Sequence, residues 1–255
     1  MSALKRARTV ARVGGVGAVA RASLRTLGQY AAAFRARREL RRRLPDLVTY
    51  EQAFAFARDF DHAGVRIAPA QLETEIVAFM RLVEDAQPAR ILEIGTHFGG
   101  TLFLLCRAAP PDARLLSLDL PLAGVPEGIG FVGYHESRRR LYRAFAKPEQ
   151  RITLLVANSQ EPGTVAMVER ELGGEPLDLL FVDGSHRYEH VSRDFALYSR
   201  LVRQGGLVAF HDVWPGEFAG GAPRFWREIR AGYEWQELVE SPEQKAYGIG
   251  VLRLP

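Results

Sequence analysis

Residues 89–101, ARILEIGTHFGGT, constrain the fold more than any other stretch of the chain. A short apolar run, Ile91, Leu92 and Ile94, leads into a turn with glycines at 95, 99 and 100. Glycine has no Cβ, so such a turn can take positive φ and bring backbone close to a ligand or to a neighbouring element. The spacing E-x-G-x-x-x-G-G is not the G-x-G-x-x-G of a pyrophosphate-binding turn. Glu93 places negative charge where a phosphate would sit, which argues for a ligand carrying an amine or another cation. A turn that needs its glycines only for packing stays open at this point.

At 255 residues, 47% of them hydrophobic, the chain is long enough to bury the core of one large α/β domain. Cys106 is the one cysteine, which excludes an internal disulfide and fits a reducing, cytoplasmic setting; after Leu104 and Leu105 it reads as a small buried apolar side chain. No apolar run approaches the length of a membrane span. Charge is uneven. Residues 1–45 hold twelve Lys or Arg and one acid, Glu39, whereas the rest holds 22 bases and 29 acids. Residues 1–46 are therefore expected to be a basic N-terminal extension, helical or partly disordered, with Pro45 and Asp46 at the boundary of a domain over 47–255. The extension offers contact with an anionic membrane, nucleic acid or an acidic partner, or simply a helix packed on the domain.

From residue 47 helices and strands alternate. Helical patterns cover 52–58, 71–85, 99–108, 136–146, 161–172, 187–203 and 223–231; strand patterns cover 90–95, 114–119, 151–157, 177–183 and 206–211. Two last strands, 235–239 and 246–252, are close enough to form an antiparallel hairpin. The expectation is a Rossmann-like, doubly wound, seven-stranded α/β sheet, mostly parallel, with helices on both faces. Ligands of such sheets bind beyond the carboxyl ends of the strands. Those ends are polar here: Glu93, Asp119, Asn158 with Ser159, Asp183 with His186, and His211 with Asp212.

ILEIGTHFGGT, DLLFVDGSHRYEHVSRDF and LVRQGGLVAFHDVW together resemble the class I S-adenosylmethionine (SAM)-dependent methyltransferases, in the branch of the catechol-type and macrolide-sugar O-methyltransferases. The resemblance spans residues 68–254. It implies that Glu93, Gly95, Thr96 and Gly99 line the methionine part of SAM, with Gly100 also at the cofactor. Asp119 would accept from both ribose hydroxyls, and Asn158 and Ser159 would meet the adenine edge. As readings of the residues alone, the alternatives are a turn or cap residue before Pro121 for Asp119 and a helix cap for Ser159.

Methyl transfer from a sulfonium is an in-line displacement, so the acceptor hydroxyl must be aligned and made nucleophilic. A divalent cation and a base are two ways to do so. By resemblance, Asp183 and Asp212 match the oxygen ligands of a magnesium site, and His186 the general base; His211 departs from the pattern, since imidazole suits softer divalent ions, and it joins the candidate ligands. His190 and His135 read as surface residues. The segment 121–136 reads as a substrate-covering lid or a disordered excursion, with Phe131, Tyr134 and Trp214 as candidate pocket walls. The expected function is transfer of a methyl group to a hydroxyl of a small molecule or sugar, with homo-oligomerisation left open. The alternatives are a nucleic-acid methyltransferase, against which the acidic domain argues, and a membrane-associated protein with a vestigial SAM fold.

Overall fold

The computed structural model describes residues 24, 27–121, 138–216 and 220–255. Helix α1 runs through 27–43 and buries Ala36 and Leu40 against the body of the protein. Helix α2 (Tyr50–Asp59) starts where Thr49 and Gln52 cap each other, the Gln52 N–H donating to Thr49 Oγ1 and the Thr49 N–H to Gln52 Oε1. Two short strands, β1 (Asp61–His62) and β2 (Val65–Arg66), form a tight antiparallel hairpin that lacks any run long enough to be read from sequence. Helix α3 (Glu73–Ala86) buries Ile76, Phe79, Met80 and Val83 and ends on Gln87 in the left-handed region.

Then the sheet begins. Strands β3 (Arg90–Ile94), β4 (Arg114–Asp119), β5 (Arg151–Val156), β6 (Leu177–Val182) and β7 (Val202–His211) are parallel, and β8 (Glu234–Leu238) and β9 (Ile249–Arg253) complete it in the order β5-β4-β3-β6-β7-β9-β8. The last two strands pair antiparallel, as expected, and β9 lies inside, antiparallel to β7 as well. Helices α4 (Gly100–Ala108), α5 (Arg139–Tyr142), α6 (Pro162–Leu172), α7 (Tyr188–Tyr198) and α8 (Ala222–Ile229) cover the faces.

Strand periodicity sorts the core into two layers. Ile91, Leu179, Phe181, Leu207 and Ala209 pack with α2, α3 and α4, while Leu92, Ile94, Leu180, Val182, Val208 and Phe210 pack with α6, α7 and α8. Cys106 lies fully buried as a free thiol in the first layer, and burial pushes its pKa up to about 12, so it is inert packing.

Several boundaries differ from the sequence reading: the helix expected over 136–146 is, among the described residues, only the four-residue α5, and the strand expected from 246 begins at Ile249. The helix expected to reach 203 stops at Tyr198 and tightens into a 3₁₀ turn, Ser199–Leu201, and β7 begins at Val202 rather than 206. Gly205, at φ +69°, lets that strand pass through an irregularity in its pairing with β6, so the Gln-Gly-Gly stretch that looks like a turn is strand. Among the described residues no helix is long and apolar enough to cross a membrane.

Candidate active site

The carboxyl ends of β3, β4, β6 and β7 meet at one edge of the sheet. Gly95 follows β3 at φ +90°, and a Cβ there would lie 2.1 Å from the carbonyl oxygen of Asp183. Only glycine allows the turn to leave the strand so close to the end of β6. Asp119, closing β4, organises the turn from the other side. Its Oδ2 accepts the N–H groups of Thr96 (3.2 Å) and His97 (3.1 Å), and its Oδ1 accepts that of Leu120 (2.7 Å). Burial raises the Asp119 pKa to about 6 against those bonds. The Gly95 and Gly99 amides are also spent, on Leu118 and Thr96 carbonyls. A turn whose amides point inward is no anion nest, so this one suits a neutral or cationic group rather than a pyrophosphate. Each carboxylate oxygen accepts up to two hydrogen bonds, so Asp119 Oδ1 retains capacity for a hydroxyl, and the residues fit a ribosyl sulfonium such as SAM.

Three expected cofactor residues stand differently. Glu93 has no solvent exposure. Its Oε2 accepts from Ser117 Oγ at 2.7 Å, and Ser117 Oγ lies 2.5 Å from Thr96 Oγ1. Burial pushes the Glu93 carboxyl up to about 8, so it is a largely neutral prop beneath the turn, not an exposed charge. Gly99 and Gly100 open α4, but a Cβ at Gly99 would meet the Tyr142 ring at 2.7 Å and one at Gly100 would meet the Pro69 nitrogen at 2.2 Å. Their glycines serve close packing of α4 against neighbouring chain. Asn158, exposed beyond β5, accepts the Gln160 N–H on Oδ1 (3.0 Å). Ser159 gives its carbonyl to the Tyr198 hydroxyl (2.9 Å), next to Asp194, which burial raises to about 7.

The second half of the site is a carboxylate–imidazole cluster. β6 and β7 are adjacent parallel strands, with Val182 opposite Phe210, so Asp183 and His211–Asp212 emerge side by side. His211 Nδ1 lies 3.1 Å from Asp183 Oδ1 and 3.2 Å from Asp212 Oδ2. His186 Nε2 lies 3.0 Å from Asp212 Oδ2. Burial opposes charge on His211, but the two carboxylates override it and raise its pKa to about 10. For Asp212 burial is likewise outweighed, and the two imidazoles hold it well below the usual carboxylate range. Asp212 sits in the left-handed region at φ +57°, which turns its carboxylate back toward both histidines.

His211, expected among the ligands, has its Nδ1 between two carboxylates and its Nε2 buried without a hydrogen-bond partner among the described residues. The atoms spaced for a cation belong to Asp183, His186 and Asp212, within 4.8 Å of one another. That mixed oxygen and nitrogen set fits a divalent ion such as manganese or zinc better than magnesium.

Two residues of the cluster carry no motif. Gln71, which is buried just before α3, donates from Nε2 to Asp183 Oδ2 (2.7 Å) and accepts the Thr101 hydroxyl (2.9 Å). Glu75, buried on α3, accepts from Gln244 Nε2 (2.6 Å) and the Gly248 N–H (2.9 Å), and burial raises its pKa despite the facing His211. Their partners lie far along the chain, and a polar residue at the head of an amphipathic helix gives no local signal. His190 is a helix residue whose Nδ1 meets Ser185 Oγ at 2.8 Å. His135, Phe131, Tyr134 and nearly all of the expected lid fall outside the described residues.

Residues 92–213 match the family model described as "Methyltransferase domain". Over 151 residues the chain is 32% identical to the transmembrane O-methyltransferase homolog of Rattus norvegicus, an alignment covering 57% of this chain and 50% of that protein. Over 72 residues it is 38% identical to demethylmacrocin O-methyltransferase of Streptomyces fradiae, covering 28% of this chain and 18% of that one. The chain thus spans half the length or less of these curated relatives. Among solved structures, the O-methyltransferase TomG of Streptomyces achromogenes in complex with SAM superposes with a TM-score of 0.54 at 23% identity, covering 81% of this chain and 89% of TomG. At that identity the likeness establishes a shared fold.

Proposed function

We propose, from the match of residues 92–213 to the methyltransferase-domain model, that the chain is a SAM-dependent O-methyltransferase acting on a hydroxyl of a small molecule or sugar. Gly95, Thr96 and Asp119 hold the donor, with Glu93 and Ser117 supporting the turn from below. Of the β5 end, Asn158 and Ser159 remain the adenine contacts of the proposal. The single observation that carries the acceptor chemistry is the 3.0 Å contact between His186 Nε2 and Asp212 Oδ2 at the mouth of the site.

With Nε2–H donated to Asp212, the His186 tautomer makes Nδ1 the proton-accepting nitrogen. In the reaction the acceptor oxygen forms its bond to the methyl carbon as the sulfur–methyl bond breaks. The sulfonium becomes a neutral thioether and the hydroxyl proton passes to His186. Protonated His211, fixed between Asp183 and Asp212, balances the carboxylates so that they can lie together at the site. Relatives named as O-methyltransferases support an oxygen acceptor.

A second reading of activation is favoured by the spacing of Asp183, His186 and Asp212. A divalent cation held by these three supplies a Lewis acid that lowers the pKa of the acceptor hydroxyl. His186 would then act as ligand instead of base. The same proposal includes a cytoplasmic setting, in keeping with a free thiol at Cys106.

The test is transfer of labelled methyl from SAM to a panel of hydroxylated small molecules and nucleotide sugars. His186→Ala is expected to lower kcat by roughly 10²- to 10⁴-fold with SAM affinity unchanged. Unchanged kcat removes His186 from the chemistry. Activity that disappears with EDTA and returns with manganese or magnesium selects the cation reading, and activity indifferent to EDTA selects the base.

A further inference from the structure

Helix α1 turns one side to the protein and another to solvent. Ala33, Ala36 and Leu40 are buried, the last two within the core shared with α2 and α4. Leu27, Tyr30 and Phe34 recur at intervals of three and four, so they share a face at 3.6 residues per turn, and Leu24 keeps the same spacing in the sequence. That face is not the buried one. Leu24 is 67% exposed, Leu27 65%, Tyr30 41% and Phe34 64%. Arg38, Arg41 and Arg42 continue the same side toward the helix C-terminus and are exposed as well. Glu39, the sole acid of the helix, pairs with Arg42 at 2.5 Å.

We propose that this face of α1 docks the protein on the surface of an anionic lipid bilayer. The apolar half enters the boundary between headgroups and acyl chains, and the arginines meet the anionic headgroups. Charge complementarity and side-chain chemistry point to this occupant together. The rest of the chain carries more acids than bases, so the net positive charge of the protein comes from this end of the sequence. Nucleic acid offers phosphate to the arginines but no apolar phase to aliphatic Leu24 and Leu27. A second copy fits poorly, because parallel pairing of two such faces sets arginine against arginine. Full-length antiparallel pairing sets each apolar half against the partner's arginines.

The experiment is sedimentation of the full-length protein with vesicles of phosphatidylcholine alone and with about 30 mol% phosphatidylglycerol added, across a salt series. Binding is expected to the anionic vesicles and to weaken with salt. Leu27→Ser with Phe34→Ser keeps net charge and is expected to weaken it by about tenfold or more, since two apolar side chains no longer insert. Arg38→Gln with Arg41→Gln is expected to weaken it and to flatten the salt dependence. Both pairs are solvent-facing, so thermal melting followed by circular dichroism should match the unsubstituted protein. The proposal is overturned by no binding to either vesicle or by binding indifferent to the serine pair. It is equally overturned by a concentration-dependent dimer that the serine pair abolishes, or by salt-dependent RNA binding that the serine pair leaves intact.

Discussion

Glu93 provides a test of how the turn after β3 is supported, because its carboxyl is fully buried and its hydrogen-bond partners, the Ser117 and Thr96 hydroxyls, are neutral. Burial raises its pKa from 4.5 to about 8. A carboxyl with a raised folded-state pKa holds its proton more tightly when folded. Its contribution is therefore least unfavourable below the unfolded value, and stability is lost as pH rises from 4.5 through 8. Integrating the shift at about 1.4 kcal/mol per pH unit, the folded state loses about 3 to 4 kcal/mol between pH 5 and pH 8 on account of this group. Glu93→Gln removes the titration while keeping an oxygen for the Ser117 hydroxyl. Urea unfolding of both proteins at half-unit pH steps isolates the effect, because the other titrating groups are common to both. The expected result is a glutamine variant that gains on the parent by about 3 to 4 kcal/mol over that window, with SAM affinity retained. A difference that stays flat within about 1 kcal/mol from pH 5 to pH 8 refutes the neutral-prop account and leaves Glu93 ionised and otherwise compensated.

Gly95→Ala and Gly173→Ala both ask alanine to take positive φ, but nothing lies within 4 Å of a Cβ at Gly173, whereas one at Gly95 strikes the Asp183 carbonyl. Chemical denaturation should show a loss of about 1 kcal/mol at Gly173 and at least about 3 kcal/mol at Gly95, and equal losses would remove the close-approach argument. Asp119→Ala strips the acceptor from three backbone N–H groups of the turn, and titration calorimetry should show SAM binding weakened by about tenfold or more; unchanged affinity would free Asp119 from the donor site. In the parent protein SAM affinity should fall as pH drops through about 6, where Asp119 takes up a proton and loses acceptor capacity.

The strands were legible because their apolar runs are short, nearly continuous and bounded by turn residues, which is what a parallel sheet covered on both faces requires. The polar strand ends were legible for the same reason, since in a doubly wound sheet the carboxyl ends of neighbouring strands converge whatever the loops do. That is how Asp183 and Asp212, 29 positions apart in sequence, come to share His211. What sequence could not carry is direction. Along β3 the alternation that sends Leu92 and Ile94 to one layer sends Glu93 to the other, beneath the turn, and only the burial of that layer turns a charge into a neutral prop. Likewise His211 and His186 look interchangeable as imidazoles near two carboxylates. The left-handed backbone at Asp212 decides between them: it brings the carboxylate against both rings, with His211 enclosed as a cation and His186 about one-third exposed at the mouth. On the proposed reading, in which His186 takes the proton, the residue that separates the two histidines is thus an aspartate in the left-handed region. Its conformational cost, about 1 to 3 kcal/mol, is offset by two charge-assisted contacts.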